Sequence, residues 1–226
     1  MRTVVVTGGK RGIGVAISKH FEGLGDKVIA LSSAELDVTD EQAVKEVFGG
    51  IGAVDVLVNN AGVSSSAPLK RTTLDEWERQ IGVNATGAFL CTRAVLEGMR
   101  DRDEGRIVTV ASLASHVGSR YTSGYTASKH AVLGLMRSVA AELAGTGVTS
   151  NAVCPAYVRS DMTTESAANI EARTGQDGEA TLAKMAALGR LIEPEEVAYA
   201  VAFFAAAEAG AINGQSLIMD GGGVQQ

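Results

Sequence analysis

The spacing of apolar residues changes from one segment to the next, and this change outlines alternating strands and helices. Residues 3–7 form a short β-branched run, and apolar residues then recur at helical spacing over residues 13–24. A second apolar run at 28–31 completes a strand–helix–strand unit. Because the first strand is apolar without interruption, we expect a parallel sheet that is covered on both faces.

The same alternation continues along the rest of the chain. Helices are predicted at 40–49, 74–99 and 123–143 and from Pro194 onward, and strands at 54–58, 106–112, 148–154 and 216–220. The helix at 74–99 opens with a capping-box sequence. The pattern contains no repeat and no linker, so residues 1–226 are predicted to form a single α/β domain.

Two segments interrupt this rhythm. Residues 156–190 form a long, weakly patterned connection, which is predicted to be a lid over the substrate. The second interruption follows the second strand, where only residues 32–36 precede an acidic turn at Asp37. Parallel strands need a crossover of about a dozen residues or more. We therefore expect the crossover helix between strands 2 and 3 to be missing, and strand 3 to be absent or a stub.

A glycine cluster lies between the first strand and the first helix. Gly8, Gly12 and Gly14 are spaced as G-x3-G-x-G. A helix N-terminus presents free backbone N–H groups and the positive end of a dipole. Glycine lets the backbone approach a pyrophosphate closely. The cluster is a candidate phosphate site, and a tight turn that binds nothing is the alternative.

Tyr125 and Lys129 are four residues apart on a predicted helix and so share one face. An ammonium beside a phenol favours the phenolate and so lowers the pKa of the phenol from its ordinary value of about 10. A tyrosine of this kind can protonate an alkoxide or deprotonate an alcohol. A surface Tyr–Lys pair without a chemical role is the alternative.

Further polar residues lie where predicted strands end, which is where ligands bind in open α/β sheets. Ser112 ends one strand and could hold a carbonyl oxygen beside Tyr125, and residues 59–62 (Asn-Asn-Ala-Gly) end another. Asn84 lies within a predicted helix among apolar residues. A buried amide needs hydrogen-bond partners, so both a kink with a bound water and a packing role stay open for Asn84.

Taken in order, these motifs resemble those of the short-chain dehydrogenase/reductase family over nearly the whole chain. The resemblance rests on residues 7–14, 59–62, Asn84, Ser112, Tyr125-x3-Lys129, 151–155 and 213–222. It implies a Rossmann-type, doubly wound parallel sheet with helices on both faces. It also implies an enzyme that transfers a hydride between a nicotinamide cofactor and a ketone or secondary alcohol.

The resemblance assigns a role to each matching residue. Tyr125 would be the general acid/base, and Lys129 would lower its pKa and bind the nicotinamide ribose. Ser112 would orient the substrate oxygen, and Asn84 would hold a water that links Lys129 to solvent. The residues expected to contact the cofactor are Gly8, Lys10, Arg11, Gly12, Ile13, Gly14, Ser32, Asp37, Val38, Asn59, Ala61, Gly62, Tyr125, Lys129, Pro155, Val158 and Ser160. No metal is expected.

The end of the second strand bears on which nicotinamide is used. An acidic residue there binds the ribose 2′-hydroxyl of NAD, but this position is Ser32. Lys10 and Arg11 lie in the phosphate turn, and the fork of arginine suits a 2′-phosphate. NADP(H) is therefore the expected cofactor and NAD(H) the alternative, because Glu35 is close enough in sequence to reverse this preference.

The residues near the end of the sequence indicate the class of substrate. Residues 188–198 and 212–215 look most like those of 3-oxoacyl-[acyl-carrier-protein] reductases, so an acyl-thioester carbonyl is the expected substrate. The alternatives are an NAD(H)-dependent dehydrogenase of 3-hydroxyacyl-CoA or hydroxybutyrate type and, more remotely, a non-catalytic dinucleotide sensor. The helices at 74–99 and 123–143 resemble those that pair in family oligomers, so a homotetramer or homodimer is expected.

Composition narrows the partners and the location. The 226 residues carry 20 Lys+Arg and 26 Asp+Glu, a net charge of −6, without a basic cluster, so nucleic acid is not an expected partner. Apolar runs are too short for a membrane span or a signal peptide. Two cysteines, Cys91 and Cys154, are too few for a disulfide scaffold. A cytoplasmic protein without membrane association is expected.

Overall fold

The structure is a computed structural model that describes residues 1–224. Its centre is a six-stranded parallel sheet in the order β2-β1-β3-β4-β5-β6. The strands are β1 Thr3–Thr7, β2 Lys27–Leu31, β3 Val56–Asn59, β4 Gly105–Val110, β5 Val148–Pro155 and β6 Ser216–Met219. The parallel α/β sheet predicted from the sequence is therefore confirmed.

Helices cover both faces of the sheet. They are α1 Gly12–Gly23, α2 Glu41–Ile51, α3 Leu74–Ile81, α4 Gly87–Asp101, α5 Ser123–Glu142, α6 Asp161–Thr174, α7 Gly178–Met185 and α8 Pro194–Ala205. Val4 and Val6 of β1 pack with α1 and α8 on one face, whereas Val5 packs with α2 and α4 on the other. This burial on both sides explains why β1 has no polar position in its interior.

The prediction of a missing crossover helix and an absent or stub third strand is wrong. Helix α2 follows β2, and all four residues of β3 are buried, of which three pair with β1 in parallel. The prediction expected a separate third strand, or a stub of one, beside the acidic turn at Asp37, whereas the strand that follows β2 is the one predicted at 54–58, and the helix predicted at 40–49 is the crossover that leads to it. Because β3 lies on the far side of β1, β2 forms an edge of the sheet.

The helix predicted at 74–99 is divided in the structure. Thr73 accepts a hydrogen bond from the backbone N–H of Glu76 at 3.2 Å and so caps α3. A π-helical segment, Gly82–Thr86, then separates α3 from α4 and contains the buried Asn84. Gly87 follows it, and a Cβ there would lie 2.5 Å from a methyl carbon of Val38. The absence of a side chain at Gly87 thus lets α4 approach the segment before α2.

The segment at 156–190, predicted to be a lid, folds into helices α6 and α7 and lies mostly exposed at the surface. Short 3-10 turns occur at Leu69–Arg71, Leu113–Ser115 and Ala207–Ala211. Over residues 1–224, none of the helices combines the length and the apolar character that crossing a bilayer requires.

Candidate active site

The carboxyl ends of the central strands bring distant sequence motifs to one edge of the sheet. The glycine cluster follows β1, residues 59–62 end β3, Ser112 follows β4 and Pro155 ends β5. Helix α5 is fastened to this edge by Lys129, whose Nζ donates to the carbonyl oxygen of Val110 at 2.9 Å. The four residues predicted to be catalytic therefore come together in one place.

Tyr125 and Ser112 form the polar pair of this site. The Ser112 hydroxyl is hydrogen-bonded to the Tyr125 phenol and lowers its pKa, but burial raises that pKa more strongly, so the phenol titrates above its ordinary value. Ser112 also accepts from the backbone N–H of Ala114 at 3.1 Å, which fixes its orientation. The pair leaves the phenol protonated at neutral pH.

The prediction that Lys129 lowers the pKa of Tyr125 stays a prediction. The Lys129 Nζ lies 5.7 Å from the centre of the Tyr125 ring and is committed to Val110. The side chain is 6% exposed, and burial lowers the pKa of Lys129 to about 8. The ammonium is thus held close to its titration point near neutral pH.

Asn84 lies beside Lys129 and holds the loop after β3. Its Oδ1 accepts from the backbone N–H of Val63 at 2.8 Å, and its Nδ2 donates to the Val63 carbonyl at 2.9 Å and to Ser128 Oγ at 2.8 Å. A Cβ on Gly62 would lie 3.3 Å from Asn84 Oδ1 and 3.8 Å from Lys129 Nζ. Asn84, Gly62 and Lys129 are therefore neighbours.

The glycine cluster forms a tight cradle at the start of α1. Gly8 has a φ of +63°, which favours glycine. A Cβ on Gly14 would lie 2.2 Å from the carbonyl oxygen of Gly8. Asn60 Nδ2 donates to the carbonyl oxygens of Thr7 at 2.9 Å and of Gly8 at 3.2 Å, which ties β3 to the cradle. Backbone packed this closely at a helix N-terminus fits the pyrophosphate of a dinucleotide.

Of the other predicted cofactor residues, Ser160 and Ala61 also border the cradle, whereas the contacts of Val158 and Pro155 lie with Ile192 and Met219. A Cβ on Gly12 would lie 3.6 Å from the Cβ of Ser160, so the segment after β5 approaches the turn. Val158 is buried and bridges to Ile192, and Pro155 pairs with Met219. A Cβ on Gly8 would lie 3.0 Å from the Cα of Ala61.

The structure directs the side chains of three predicted cofactor residues elsewhere. Ile13 packs against the apolar core between the sheet and α8. Asn59 Nδ2 donates to Thr92 Oγ1 of α4 at 2.9 Å, and Val38 packs against Gly87. These side chains pack against other parts of the protein and so support the site from within.

Glu35 lies just after the edge strand β2 and contacts two of the residues predicted to bind the nucleotide, Lys10 and Ser32. It forms an ion pair with Lys10 and accepts from the Ser32 backbone N–H at 2.8 Å and from the Ser32 hydroxyl. Asp37 instead accepts from its neighbour Thr39, at 2.9 Å from the N–H and 2.7 Å from the hydroxyl, and these bonds lower the pKa of Asp37. Arg11 is exposed at the start of α1.

Two further residues organise the site: Ser128, which the sequence pattern did not mark, and Asn60, which it marked only as part of the 59–62 motif. Ser128 is completely buried; it accepts from Asn84 and donates to the carbonyl oxygen of Tyr125 at 2.7 Å. Asn60 ties β3 to the glycine turn, as described above. The sequence did contain a signal for Ser128. It is a polar residue next to Lys129 on a predicted helix, and such a residue needs a hydrogen-bond partner if it is buried. Among residues 1–224, no three His, Cys, Asp or Glu side chains are grouped to hold a metal ion.

Fold and site together define a dinucleotide-dependent oxidoreductase architecture, and comparison with known proteins agrees. A family model described as "Enoyl-(Acyl carrier protein) reductase" matches residues 18–223. The chain is 38% identical to "3-oxoacyl-[acyl-carrier-protein] reductase FabG" of Vibrio cholerae over 98% of this chain and 96% of that one. It is 35% identical to "Acetoacetyl-CoA reductase" of Shinella zoogloeoides over 98% of both chains.

A solved structure described as "ElxO with NADP Bound" superposes with a TM-score of 0.89 at 28% identity, covering 98% of each chain. The chain therefore belongs to the short-chain dehydrogenase/reductase family, whose members are oxidoreductases that act on carbonyl and hydroxyl groups.

Proposed function

We propose that this chain is an NADPH-dependent reductase of 3-oxoacyl thioesters. The observation that carries the proposal is the convergence of Tyr125, Ser112 and Lys129 beside the glycine cradle. Relatives over nearly the full chain are reductases of 3-oxoacyl and acetoacetyl thioesters, and the superposed ElxO structure holds NADP. The sensor alternative is disfavoured because the acid, the amine and the hydroxyl are all present.

The residues of the cradle would hold the pyrophosphate at the N-terminus of α1. Ala61, Gly62 and Lys129 would then face the nicotinamide ribose, and the segment from Pro155 to Ser160 would face the carboxamide. When bound, NADPH supplies the hydride that reduces the substrate carbonyl carbon. The protein supplies position, charge and a proton.

Proton delivery is the task of Tyr125. Ser112 and Tyr125 would both donate hydrogen bonds to the carbonyl oxygen and so stabilise the charge that develops there. The phenol then passes its proton to that oxygen, and the proton is available because burial keeps the phenol protonated beforehand. The Lys129 ammonium would stabilise the resulting phenolate, and a water held at Asn84 would return the proton from solvent.

Further proposals concern the domain organisation, the oligomeric state and the location of the protein. We propose that residues 1–226 act as one domain and that α6 and α7 close over the substrate, supported by the approach of Ser160 to the cradle. A homotetramer or homodimer is supported by a surface groove on one face that is lined by the exposed Tyr199 and Phe203 of α8 and Leu217 of β6. A cytoplasmic location suits the two cysteines, which are free and buried.

A second candidate is an NAD(H)-dependent dehydrogenase of a small hydroxy compound. One observation favours it: the Glu35 carboxylate lies at the end of β2, hydrogen-bonded to Ser32, where an acidic residue binds a ribose 2′-hydroxyl. The two candidates differ in cofactor and in substrate, so one assay separates them.

The proposed function predicts that NADPH absorbance falls when acetoacetyl-CoA is added, with formation of 3-hydroxybutyryl-CoA. The rate with NADPH is expected to exceed that with NADH, and it should disappear in the Tyr125→Phe variant. NADH-driven turnover of simple hydroxy acids without activity on acetoacetyl-CoA would favour the second candidate. Binding of NADPH without turnover of any 3-oxoacyl thioester would contradict the proposal.

The close packing of the glycine cradle predicts that one added methyl group at Gly14 strongly affects NADPH binding and stability. Gly14→Ala is expected to abolish NADPH binding and to lower the free energy of unfolding by about 1–3 kcal/mol, because the new Cβ would collide with the Gly8 carbonyl. Urea unfolding and NADPH fluorescence titration measure both effects. Gly23→Ala in the same helix is the control, since a Cβ there meets nothing within 4 Å. Equal effects of the two substitutions would refute the cradle geometry.

A further inference from the structure

The thiol of Cys154 lies beneath the proposed catalytic residues and has no part in the mechanism described above. Cys154 is the second-last residue of β5 and is completely shielded from solvent. Its neighbour Val153 packs with the core on the α8 side of the sheet, whereas Cys154 packs on the other side with Val132 of α5. The sulfur therefore faces the helix that carries Tyr125 and Lys129.

The Cys154 thiol contacts the backbone of Ser112. The N–H of Ala111 donates to the carbonyl oxygen of Val153 at 2.8 Å, which holds the end of β4 against β5. The next N–H along the chain, that of Ser112, donates to the Cys154 sulfur. The hydroxyl of the same serine is hydrogen-bonded to the Tyr125 phenol. Ser112 is thus held by β5 through its backbone while its side chain meets the proton donor.

The sulfur also lies near Lys129. The Nζ of Lys129 donates to the carbonyl oxygen of Val110, which is paired in register with Val153, the residue before Cys154. Burial has the largest effect on the pKa of both Tyr125 and Lys129, and a negative charge on the sulfur would raise both pKa values. Such coupling requires a short separation, so the thiol lies where Ser112 and the Tyr125–Lys129 pair meet.

A neutral thiol suits this position. Burial raises the pKa of Cys154 to about 11, and the Ser112 N–H, Lys129 and Arg137 offset this effect only in part. The thiol is therefore uncharged at neutral pH, where it packs as a small apolar group and still offers a weak hydrogen-bond acceptor. It can hold the Ser112 backbone without adding a negative charge that would make Tyr125 a weaker acid.

We propose that Cys154 is a positioning residue, whose sulfur holds the Ser112 backbone so that the Ser112 hydroxyl stays aligned with the Tyr125 phenol. The inference rests on the proposed function, because it requires Ser112 and Tyr125 to act on the carbonyl oxygen. Without the acceptor, the Ser112 N–H would be buried and unpaired, which costs free energy unless the backbone shifts. A displacement of about 1 Å in a reacting group can slow a reaction by about 10²-fold.

The experiment compares two substitutions of Cys154 in turnover of acetoacetyl-CoA and in binding of NADPH. Cys154→Val keeps an apolar side chain but removes the acceptor, and kcat is expected to fall roughly ten- to hundredfold. Cys154→Ser keeps an acceptor in the same place, and kcat should stay within about threefold of wild type. The Kd for NADPH should stay within about twofold in both variants, because the glycine cradle is untouched.

Cys91→Val is the matched control. Cys91 lies on α4, is 1% exposed and packs in a different part of the core, so its substitution should shift the Tm comparably but leave kcat unchanged. If Cys154→Val fails to bind NADPH, Cys154→Ala, which also lacks the acceptor, takes its place. In a Ser112→Ala background, Cys154→Val should cost little further activity, because the hydroxyl that it positions is already absent.

The outcomes separate this inference from the proposed function. If wild type reduces acetoacetyl-CoA and Cys154→Val matches its kcat, the positioning role is refuted and the proposed function stands. An equal loss in Cys154→Ser and Cys154→Val, or a full further loss in the Ser112→Ala background, would also overturn the role.

If wild type reduces no 3-oxoacyl thioester, the proposed function fails but the role of Cys154 does not fail with it. The same variants are then compared on the ketone or alcohol that wild type does turn over, because the contact of Cys154 with Ser112 does not depend on the substrate. If wild type turns over no carbonyl or hydroxyl compound, both proposals fail.

Discussion

The Tyr125→Phe variant is expected to lose about 10²–10⁴-fold in kcat while NADPH binding stays within about twofold of wild type. The substitution removes only the hydroxyl that hydrogen-bonds Ser112 and would carry the proton. The ring remains to pack on α5, so the fold and the glycine cradle are undisturbed. Turnover of acetoacetyl-CoA and fluorescence titration of NADPH measure the two quantities separately.

Tyr199→Phe is the matched control for this variant. Tyr199 lies on α8 with 70% of its surface exposed, and loss of its hydroxyl should leave kcat unchanged. If Tyr125→Phe kept wild-type turnover, the assignment of the proton donor would be wrong. If it lost NADPH binding together with turnover, the phenol would serve cofactor binding rather than proton transfer.

The Lys129→Met variant is expected to be more stable than wild type and at least about 10²-fold less active. Burial lowers the pKa of Lys129 to about 8 from its ordinary 10.5, so the folded chain resists holding this charge. Methionine fills similar volume without a charge. The expected gain in the free energy of unfolding at pH 7 is about 1–3 kcal/mol, reduced by the loss of the bond to Val110.

The gain should depend on pH in a defined direction. Below pH 8 both the folded and the unfolded wild-type chain hold the proton on Lys129, and the penalty of burial is present in full. Between pH 8 and pH 10.5 the unfolded chain binds more protons, so the stability of wild type rises with pH. The advantage of Lys129→Met is therefore largest below pH 8 and fades towards pH 10.5.

Urea unfolding at pH 7 and pH 10 measures this change. Lys45→Met is the control, because Lys45 is exposed on α2 and pairs with Glu41 at 2.7 Å, so its removal should not stabilise the chain. A Lys129→Met variant that is less stable than wild type by the same amount at both pH values would contradict the account. We therefore expect that the Lys129 amine lowers the free energy of unfolding of wild type, although the site needs it for the reaction.

The site could be predicted in large part because its motifs are local. The Tyr125–Lys129 spacing and the glycines before α1 follow from the geometry of one helix and one turn. Asn84 was selected as a polar residue among apolar ones, and the structure gives it Val63 and Ser128 as partners. Motif order along the chain then placed all of them at the carboxyl edge of one sheet.

Other features depended on neighbours that are distant in sequence. Spacing alone predicted neither the burial that raises the pKa of Tyr125 nor the bond from Lys129 to Val110. The crossover after β2 was misjudged because the length of a connection depends on where the next strand pairs. The contact of Glu35 with Lys10 joins residues 25 positions apart, and no local pattern encodes it.

The amino-acid sequence by itself determined the parallel α/β class, the glycine turn, and the identity and order of the residues proposed for chemistry. These follow from short-range periodicity and from the conformations that single residues allow. Only the tertiary structure decided which side chains meet, which charges are buried and which carboxylate takes the donors at the end of β2. Burial and the distance between charges set those outcomes, and both depend on the packing of elements that lie far apart along the chain.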